Sequence, residues 1–365
     1  MNNHPSKLLF FIGNMSHSGG TERVLSIIAN GLLKRGYQVS LISLGGNGKT
    51  FFSLDKSIKV YWAAQERKTP GIIGNLQYLT ALLSRERPDF LVDVDIILGC
   101  YSIFLKYRMP EIRWISWEHF NYYYHFERNH FLRKIVRRMV TRYSNHLIVL
   151  TEEDKKYYQK NLRLTCALTQ IYNPVPYEDT FFKREELPFI LAAGRLTEAK
   201  GFDLLIESWS LLEPKYTHWA VVVAGDGKDR SALEKKAAKA GIKNMRFVGA
   251  VSNIEEYYKN AAFFVLPSRN EGFAMVLLEA MFFSLPAVCY SCKTGPKEVI
   301  CDGTNGFLVE PWNIKDFACK MEVLMNDKEM RREMGRQAAD SVRKFEKEHI
   351  LDEWERIFAR EKSGY

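Results

Sequence analysis

An α/β protein made of two similar halves is what the sequence predicts, and three observations carry it. Short runs rich in Val, Ile, Leu and Phe alternate with longer amphipathic stretches along most of the chain. That is the pattern of buried parallel strands and the helices that connect them. The alternation breaks once, at Tyr172-Asn-Pro-Val-Pro176 and the charged stretch Tyr177 to Glu186, and then restarts. At 365 residues the chain is long enough for two cores.

In the first half, Lys7 to Gly13 reads as a strand, Asn14 to Gly20 as a polar loop, and Thr21 to Arg35 as a helix with Thr21 as N-cap and Gly36 as C-cap. Tyr37 to Leu44 completes a βαβ unit. A helix near 73–87, strands at Asp89 to Val94 and Ile112 to Trp117, a basic helix near 128–142 and a strand at His146 to Leu150 follow. The second half gives strands at Pro188 to Ala193, Trp219 to Ala224, Met245 to Val248, Ala261 to Leu266, Leu285 to Tyr290 and Gly306 to Val309. Helices at 201–212, 229–240 and 253–260 fall between them, and further helices start near 313. The last helix, Glu346 to Glu361, sets Ile350, Trp354, Ile357 and Phe358 on one side, and such a tail needs a surface to cover. These patterns add up to two Rossmann-like domains, residues 1–178 and 187–344, with a closing helix over 345–365.

No apolar run approaches the ~18 to 20 residues that span a bilayer, and Leu8 to Ile12 is too short for a signal-peptide core, so a cytoplasmic protein is expected. The formal charge of +9 favours anionic partners without choosing among nucleotides, nucleic acid and acidic lipid. The six cysteines lie mostly in apolar stretches, as reduced thiols do. Cys289 and Cys292 form a CxxC that lacks a second pair at zinc spacing and reads as a coincidence at a strand end.

Chemistry is expected where strands end. The stretch Arg269 to Glu279 runs from a polar loop into a helix directly after a strand. If it were fully helical, Glu271 and Glu279 would stand about 12 Å and roughly 80° apart. That exceeds the about 5 to 9.5 Å of a glycosidase pair and suits two ends of one long ligand. Gly194 to Gly201 lies again between a strand and a helix, where Arg195 and Lys200 would set two cations against a diphosphate. Gly19-Gly20 precedes the first helix and reads as an anion-binding loop or a tight turn. The first unit lacks G-x-G-x-x-G and an acid ending its second strand, which counts against a dehydrogenase. His119 emerges after a strand, as a catalytic or a structural histidine. Asp93-Val-Asp95 is taken as strand-end acids, without a metal.

In the basic helix, Phe131, Leu132, Ile135, Val136 and Met139 make one apolar stripe. Arg133 with Arg137, and Lys134 with Arg138, stack at i, i+4 on the other side, where like charges repel. Two readings stand level: an external anion such as a lipid pyrophosphate or headgroups, and a solvated face over a stripe in the core. The aromatic run Phe120 to Phe126 is a membrane-facing or acceptor-facing loop, or packing.

Together these stretches resemble the retaining glycosyltransferases of the GT4 family, which have the GT-B fold of two Rossmann-like domains about a cleft with a C-terminal helix crossing back to the first. The resemblance rests on Ser18-Gly-Gly-Thr-Glu-Arg23, Trp117-Glu-His119, Gly194-Arg195 with Lys200, Ala224-Gly-Asp-Gly227, Pro267-Ser268 and the E-x7-E of Glu271 and Glu279. It implies a nucleotide-sugar donor, no cofactor and no metal. By it, Arg195 and Lys200 would bind the donor diphosphate, and Gly19 and Gly20 phosphate. Gly194 belongs to the same donor loop. Glu271 would hold sugar hydroxyls, with backbone N–H groups from Gly272, Phe273, Ala274 and Met275, and Glu279 would hold the ribose. His119 would contact the donor sugar or its transition state. More closely, the pattern looks like family members that extend lipid-linked oligosaccharides for O-antigen, capsule or bacterial N-glycan assembly. That implies a UDP-hexose or UDP-N-acetylhexosamine donor and a polyprenyl-pyrophosphate-linked acceptor at the cytoplasmic face of the inner membrane. The acceptor pyrophosphate is then expected on Arg133, Lys134, Arg137 and Arg138. A sugar-nucleotide 2-epimerase of similar architecture and a non-catalytic binding module are the alternatives, and nucleic acid ranks last.

Overall fold

The computed structural model of the chain describes residues 5–124, 130–178 and 184–363. It divides into two units, Met1–Pro176 with Lys347–Tyr365, and Tyr177–Glu346.

The first unit holds seven strands, β1 (Lys7–Ile12), β2 (Gln38–Ser43), β3 (Lys59–Trp62), β4 (Phe90–Val94), β5 (Arg113–Trp117), β6 (His146–Val149) and β7 (Ala167–Gln170). They form one parallel sheet in the order β3-β2-β1-β4-β5-β6-β7. Its helices are α1 (Gly20–Lys34), α2 (Ala63–Glu66), α3 (Gly71–Glu86), α4 (Gly99–Arg108), α5 (His130–Tyr143) and α6 (Glu152–Asn161). Leu8 to Ile12 and Phe90 to Val94 are buried throughout, as central strands covered on both faces must be. On one face, Leu79, Leu82 and Leu83 of α3 and Leu105 of α4 pack on Leu9, Phe11 and Leu91. Val136 and Val140 of α5 continue that layer over Trp114 and Leu147. On the other face lie α1 and the last helix, Lys347–Ser363. Trp354 meets Trp117 at 4.8 Å and Phe10 at 6.2 Å between ring centroids, and Phe358 meets Phe90 at 4.9 Å. Arg35 clamps the same helix through Glu348, Asp352 and Glu355.

The second unit holds β8 (Phe189–Ala193), β9 (Ala220–Ala224), β10 (Met245–Gly249), β11 (Phe263–Leu266), β12 (Ala287–Tyr290) and β13 (Gly306–Val309). They form a parallel sheet in the order β10-β9-β8-β11-β12-β13. Its helices are α7 (Phe202–Ser210), α8 (Arg230–Lys239), α9 (Ile254–Asn260), α10 (Met275–Phe282), α11 (Pro296–Val299), α12 (Ile314–Asn326) and α13 (Lys328–Ser341), so that the last helix of the chain is α14. In this sheet the strand order reverses between β8 and β11, and the crevice at such a switch point is where open α/β sheets take ligands.

Two sequence expectations change here. Thr21 is not the N-cap of α1; Gly19 is, without a side-chain bond, and the helix begins at Gly20. Gly36, at φ +92°, ends that helix one residue beyond its cap Arg35. The edge strands β3 and β7 are short, with apolar runs of only Val60 to Trp62 and Ala167 to Leu168 inside them.

Candidate functional site

The loops after β8 and β11 meet at the switch point of the second sheet. Lys200 Nζ donates to both oxygens of Glu271, at 2.7 and 2.8 Å. Ser268 Oγ donates to Oε1 of the same carboxylate at 2.6 Å, and Thr294 Oγ1 donates to the Glu271 carbonyl. Glu271 is 5% exposed, whereas the Lys200 side chain is 26% exposed, so the pair is open from the lysine side.

Three features hold the two loops in register. Arg269 forms a bidentate pair with Asp203, both bonds 2.6 Å, and its backbone N–H donates to the Ala199 carbonyl. Gly201 sits at φ +65° with its Cα so near the Pro267 carbonyl that a Cβ would lie 2.0 Å from the oxygen. Gly295, at φ +92°, leaves a Cβ only 3.1 Å from that of Glu271. Burial, with Glu271 nearby, pushes the Cys292 thiol up to about 12, so it stays protonated at this carboxylate's side.

Glu271 lies in the loop and Glu279 inside α10, which begins at Met275. Glu279 is buried and accepts from the Tyr258 hydroxyl at 3.0 Å. Phe273, Ala274 and Met275 are buried at the start of α10, and Gly272 is half-buried beside them. Arg195 is exposed on the loop that carries Lys200, and the Lys200 stem passes within about 4 Å of where a Gly194 Cβ would be.

In the first unit, Gly19 and Gly20 stand at the open N-terminus of α1, behind a loop fixed by Ser16 Oγ on Asn47 and the Lys49 carbonyl. His119 follows β5, its ring centroid 4.3 Å from that of Trp117 and tilted 51° to it. Its Nε2 is buried without a hydrogen-bond partner among the described residues. Burial pushes this imidazole down to about 4, so it is neutral at pH 7.

The basic helix is rotated from the sequence expectation, with Val136 still inward but joined there by two of the arginines. Arg133 and Arg137 are 2% and 3% exposed and point into the unit. Arg133 binds Asp95 at 2.6 and 2.9 Å and Glu118 at 3.0 Å. Arg137 reaches Glu118 at 3.3 Å and the carbonyls of Asn121 and Tyr122. The Phe120 N–H and the Tyr158 hydroxyl also donate to the fully buried Glu118, at 3.1 and 3.0 Å. Two acids thus balance two guanidiniums in the interior, which is what lets the i, i+4 arginines coexist. Arg133 and Arg137 are therefore structural charges and not an outward pair. Lys134 and Arg138 do face solvent, and so do Phe131, Leu132 and Ile135, which were expected in the core. Asp93, the first acid of the D-x-D, accepts from Ser102 Oγ and Trp114 Nε1, and burial pushes it up to about 7. Residues 128–129 of the expected helix and Phe126 of the aromatic run lie outside the described residues.

A cavity of roughly 460 Å³ opens beside α5. Tyr122, Tyr123 and Asn161 line it together with His130, Lys134 and Arg138. Nothing in the local sequence marks Thr294 or Asp203, because their partners lie 23 and 66 positions away.

Two units, each built on a parallel sheet, are the parts of a GT-B protein. The chain belongs to the glycosyltransferases of family 4: the model described as "Glycosyltransferase Family 4" matches residues 18–179, and "Glycosyl transferases group 1" matches residues 177–341. An uncharacterized glycosyltransferase of Haemophilus influenzae is 31% identical over 96% of this chain and 99% of its own length. The GalNAc-alpha-(1->4)-GalNAc-alpha-(1->3)-diNAcBac-PP-undecaprenol alpha-1,4-N-acetyl-D-galactosaminyltransferase of Campylobacter jejuni is 30% identical over 98% of this chain and 99% of its own. Among solved structures, an S. aureus TarM variant in complex with fondaparinux, alpha-GlcNAc-glycerol and UDP superposes with a TM-score of 0.84 at 15% identity, over 97% of this chain and 99% of that one. These relatives do not favour the epimerase or the non-catalytic alternative.

Proposed function

We propose that this glycosyltransferase moves a hexose or N-acetylhexosamine, with retention at the anomeric carbon, from a UDP-sugar to a polyprenyl-pyrophosphate-linked glycan in bacterial surface polysaccharide or glycan assembly. The enzyme would work at the cytoplasmic face of the inner membrane. The observation that carries the donor half is the Lys200–Glu271 pair at the switch point, open on the lysine side. A diphosphate replaces Glu271 as the partner of Lys200, with Arg195 as a second cation for the departing nucleotide. Glu271, still held by Ser268, turns its freed oxygen to sugar hydroxyls, and the backbone of Gly272 to Met275 supplies N–H groups. Glu279 takes the ribose hydroxyls. Gly19 and Gly20 offer N–H groups to phosphate at the mouth of α1. His119, neutral and with Nε2 unsatisfied, donates to or accepts from a sugar oxygen. Charge compensation thus falls to side chains, with no metal or other cofactor.

For the acceptor half, the support is the full-length relative that acts on a PP-undecaprenol-linked glycan and the basic edge of α5 beside the cavity. Lys134 and Arg138 hold the acceptor pyrophosphate there; Arg133 and Arg137 are withdrawn from that role because Glu118 and Asp95 occupy them.

A thermal-shift screen of UDP-hexoses and UDP-N-acetylhexosamines tests the donor half. One of them should raise the melting temperature, by about 2.7 kcal/mol of added stability at a hundredfold excess over its Kd. A screen in which no UDP-sugar stabilises the protein contradicts the reading.

A further inference from the structure

Glu279 stands in the second turn of α10, where every residue is buried except the half-buried Val276. It follows Val276 by three positions, about 60° away around the helix, and so lies beside the one position of α10 that reaches the surface. A carboxylate in such apolar company has to be held by donors. The helix fixes where this carboxylate is, but the terminal torsion of a glutamate is broad and leaves open which way its two oxygens face.

The Tyr258 hydroxyl supplies that second constraint. It donates to Glu279 Oε2 at 3.0 Å, and the Val276 carbonyl, at 3.5 Å, is the weaker competitor for its proton. The ring that carries the hydroxyl is itself fixed. Tyr258 of α9 is fully buried, stacked on Phe283 at 5.6 Å with 11° between the ring planes, and tilted against Phe264 of β11 at 6.2 Å. Three elements therefore converge on one hydrogen bond: α9 gives the hydroxyl, β11 gives Phe264, and Phe283 comes from the residue that ends α10.

We infer that Tyr258 is a positioning residue for the nucleotide. By engaging Oε2 it sets the plane of the Glu279 carboxylate, so that the two vicinal hydroxyls of the ribose meet it side by side. Hydrogen bonds weaken steeply with angle, and a pair of hydroxyls can share one carboxylate only when its plane faces them. Tyr258 thus acts on recognition of the ribose hydroxyls and leaves the diphosphate contacts alone. This rests on the ribose role proposed for Glu279 above.

Calorimetric binding of UDP and of 2′,3′-dideoxyuridine diphosphate to the full chain tests it. The wild type should favour UDP about twentyfold or more, because the dideoxy nucleotide leaves the carboxylate without its hydroxyls. Tyr258→Phe keeps the stacked ring and loses only the hydroxyl. It should weaken UDP about tenfold and leave the dideoxy nucleotide within about twofold, a split that a general loosening of α10 would not produce. Phe283→Leu keeps the hydroxyl but frees the ring, and should lower the preference for UDP about threefold. A preference that both variants retain, or an equal loss of affinity for the two nucleotides, would overturn the positioning role. A wild type that binds both nucleotides equally would instead overturn the ribose role of Glu279, and the positioning role with it.

Discussion

Glu271 is gripped from two sides that differ in permanence. Ser268 and Thr294 are buried and short, whereas Lys200 reaches it on a half-exposed four-carbon stem. Exchanging one charge-assisted partner for another costs little, so Lys200 is the arm that leaves for a phosphate while the other two keep the carboxylate aimed. His119 is the opposite case, a group held neutral by its surroundings. Its folded value of about 4 lies below the ordinary 6.5, so on acidification the unfolded chain takes up a proton that the fold refuses. The stability contribution is present above pH ~6.5 and is lost as pH falls toward ~4, by about 2 kcal/mol between pH 7 and 5. Urea unfolding of wild type and His119→Phe at those two pH values checks this. The wild type should lose that much more stability than the variant, and equal losses would remove His119 as the cause.

At the scale of elements, α5 shows why burial of charge can organise a helix. Glu118 is completely enclosed and binds Arg133, Arg137 and Tyr158 together. Glu118→Ala would leave the buried Arg137 guanidinium without its acid, and Arg133 with Asp95 alone, and should cost about 3 to 5 kcal/mol in equilibrium unfolding. A loss below about 1 kcal/mol would mean that the interior tolerates Arg137 without an acid partner. The helix itself was legible from its period, but its facing was not. Period alone places the 131–132–135–136–139 stripe inward; Val136 does stay inside, but Asp95 and Glu118, 38 and 15 positions from Arg133, draw the arginines in and leave Phe131, Leu132 and Ile135 outside. The last helix was easier, because its apolar side is flanked by charge and has no competing buried acid; Ile350, Trp354, Ile357 and Phe358 are all buried. Strands β3 and β7 are four-residue edge strands whose apolar runs, Val60 to Trp62 and Ala167 to Leu168, are too brief to stand out. Helix α6 did carry a signal, Thr151 capping the Asp154 N–H at 3.0 Å, a Thr-x-x-Asp start that precedes a polar helix instead of an apolar one.

For the whole molecule, the repeated alternation of strand and helix specifies two parallel sheets, and parallel sheets place ligand-facing loops at the carboxyl ends of their strands. That is why the sequence points to Lys200 and Glu271, 71 positions apart, as candidate site residues, and their side chains are in contact. What the chain could not disclose is which backbone contacts weld those loops, the close approach of Gly201 to Pro267 and the Arg269–Asp203 clamp, because both need the sheet to be assembled first. The excess of basic residues is likewise divided by the fold into interior pairs such as Arg133 and outward cations such as Lys134 and Arg138.

The most direct test of the central claim is transfer of labelled sugar from a UDP-sugar to a polyprenyl-pyrophosphate-linked glycan by the wild type, Lys200→Ala and Glu271→Ala. The wild type should transfer, and each variant should lose about a hundredfold or more in kcat/KM with its melting transition still cooperative. Folded variants that transfer at the wild-type rate would contradict the role given to the Lys200–Glu271 site.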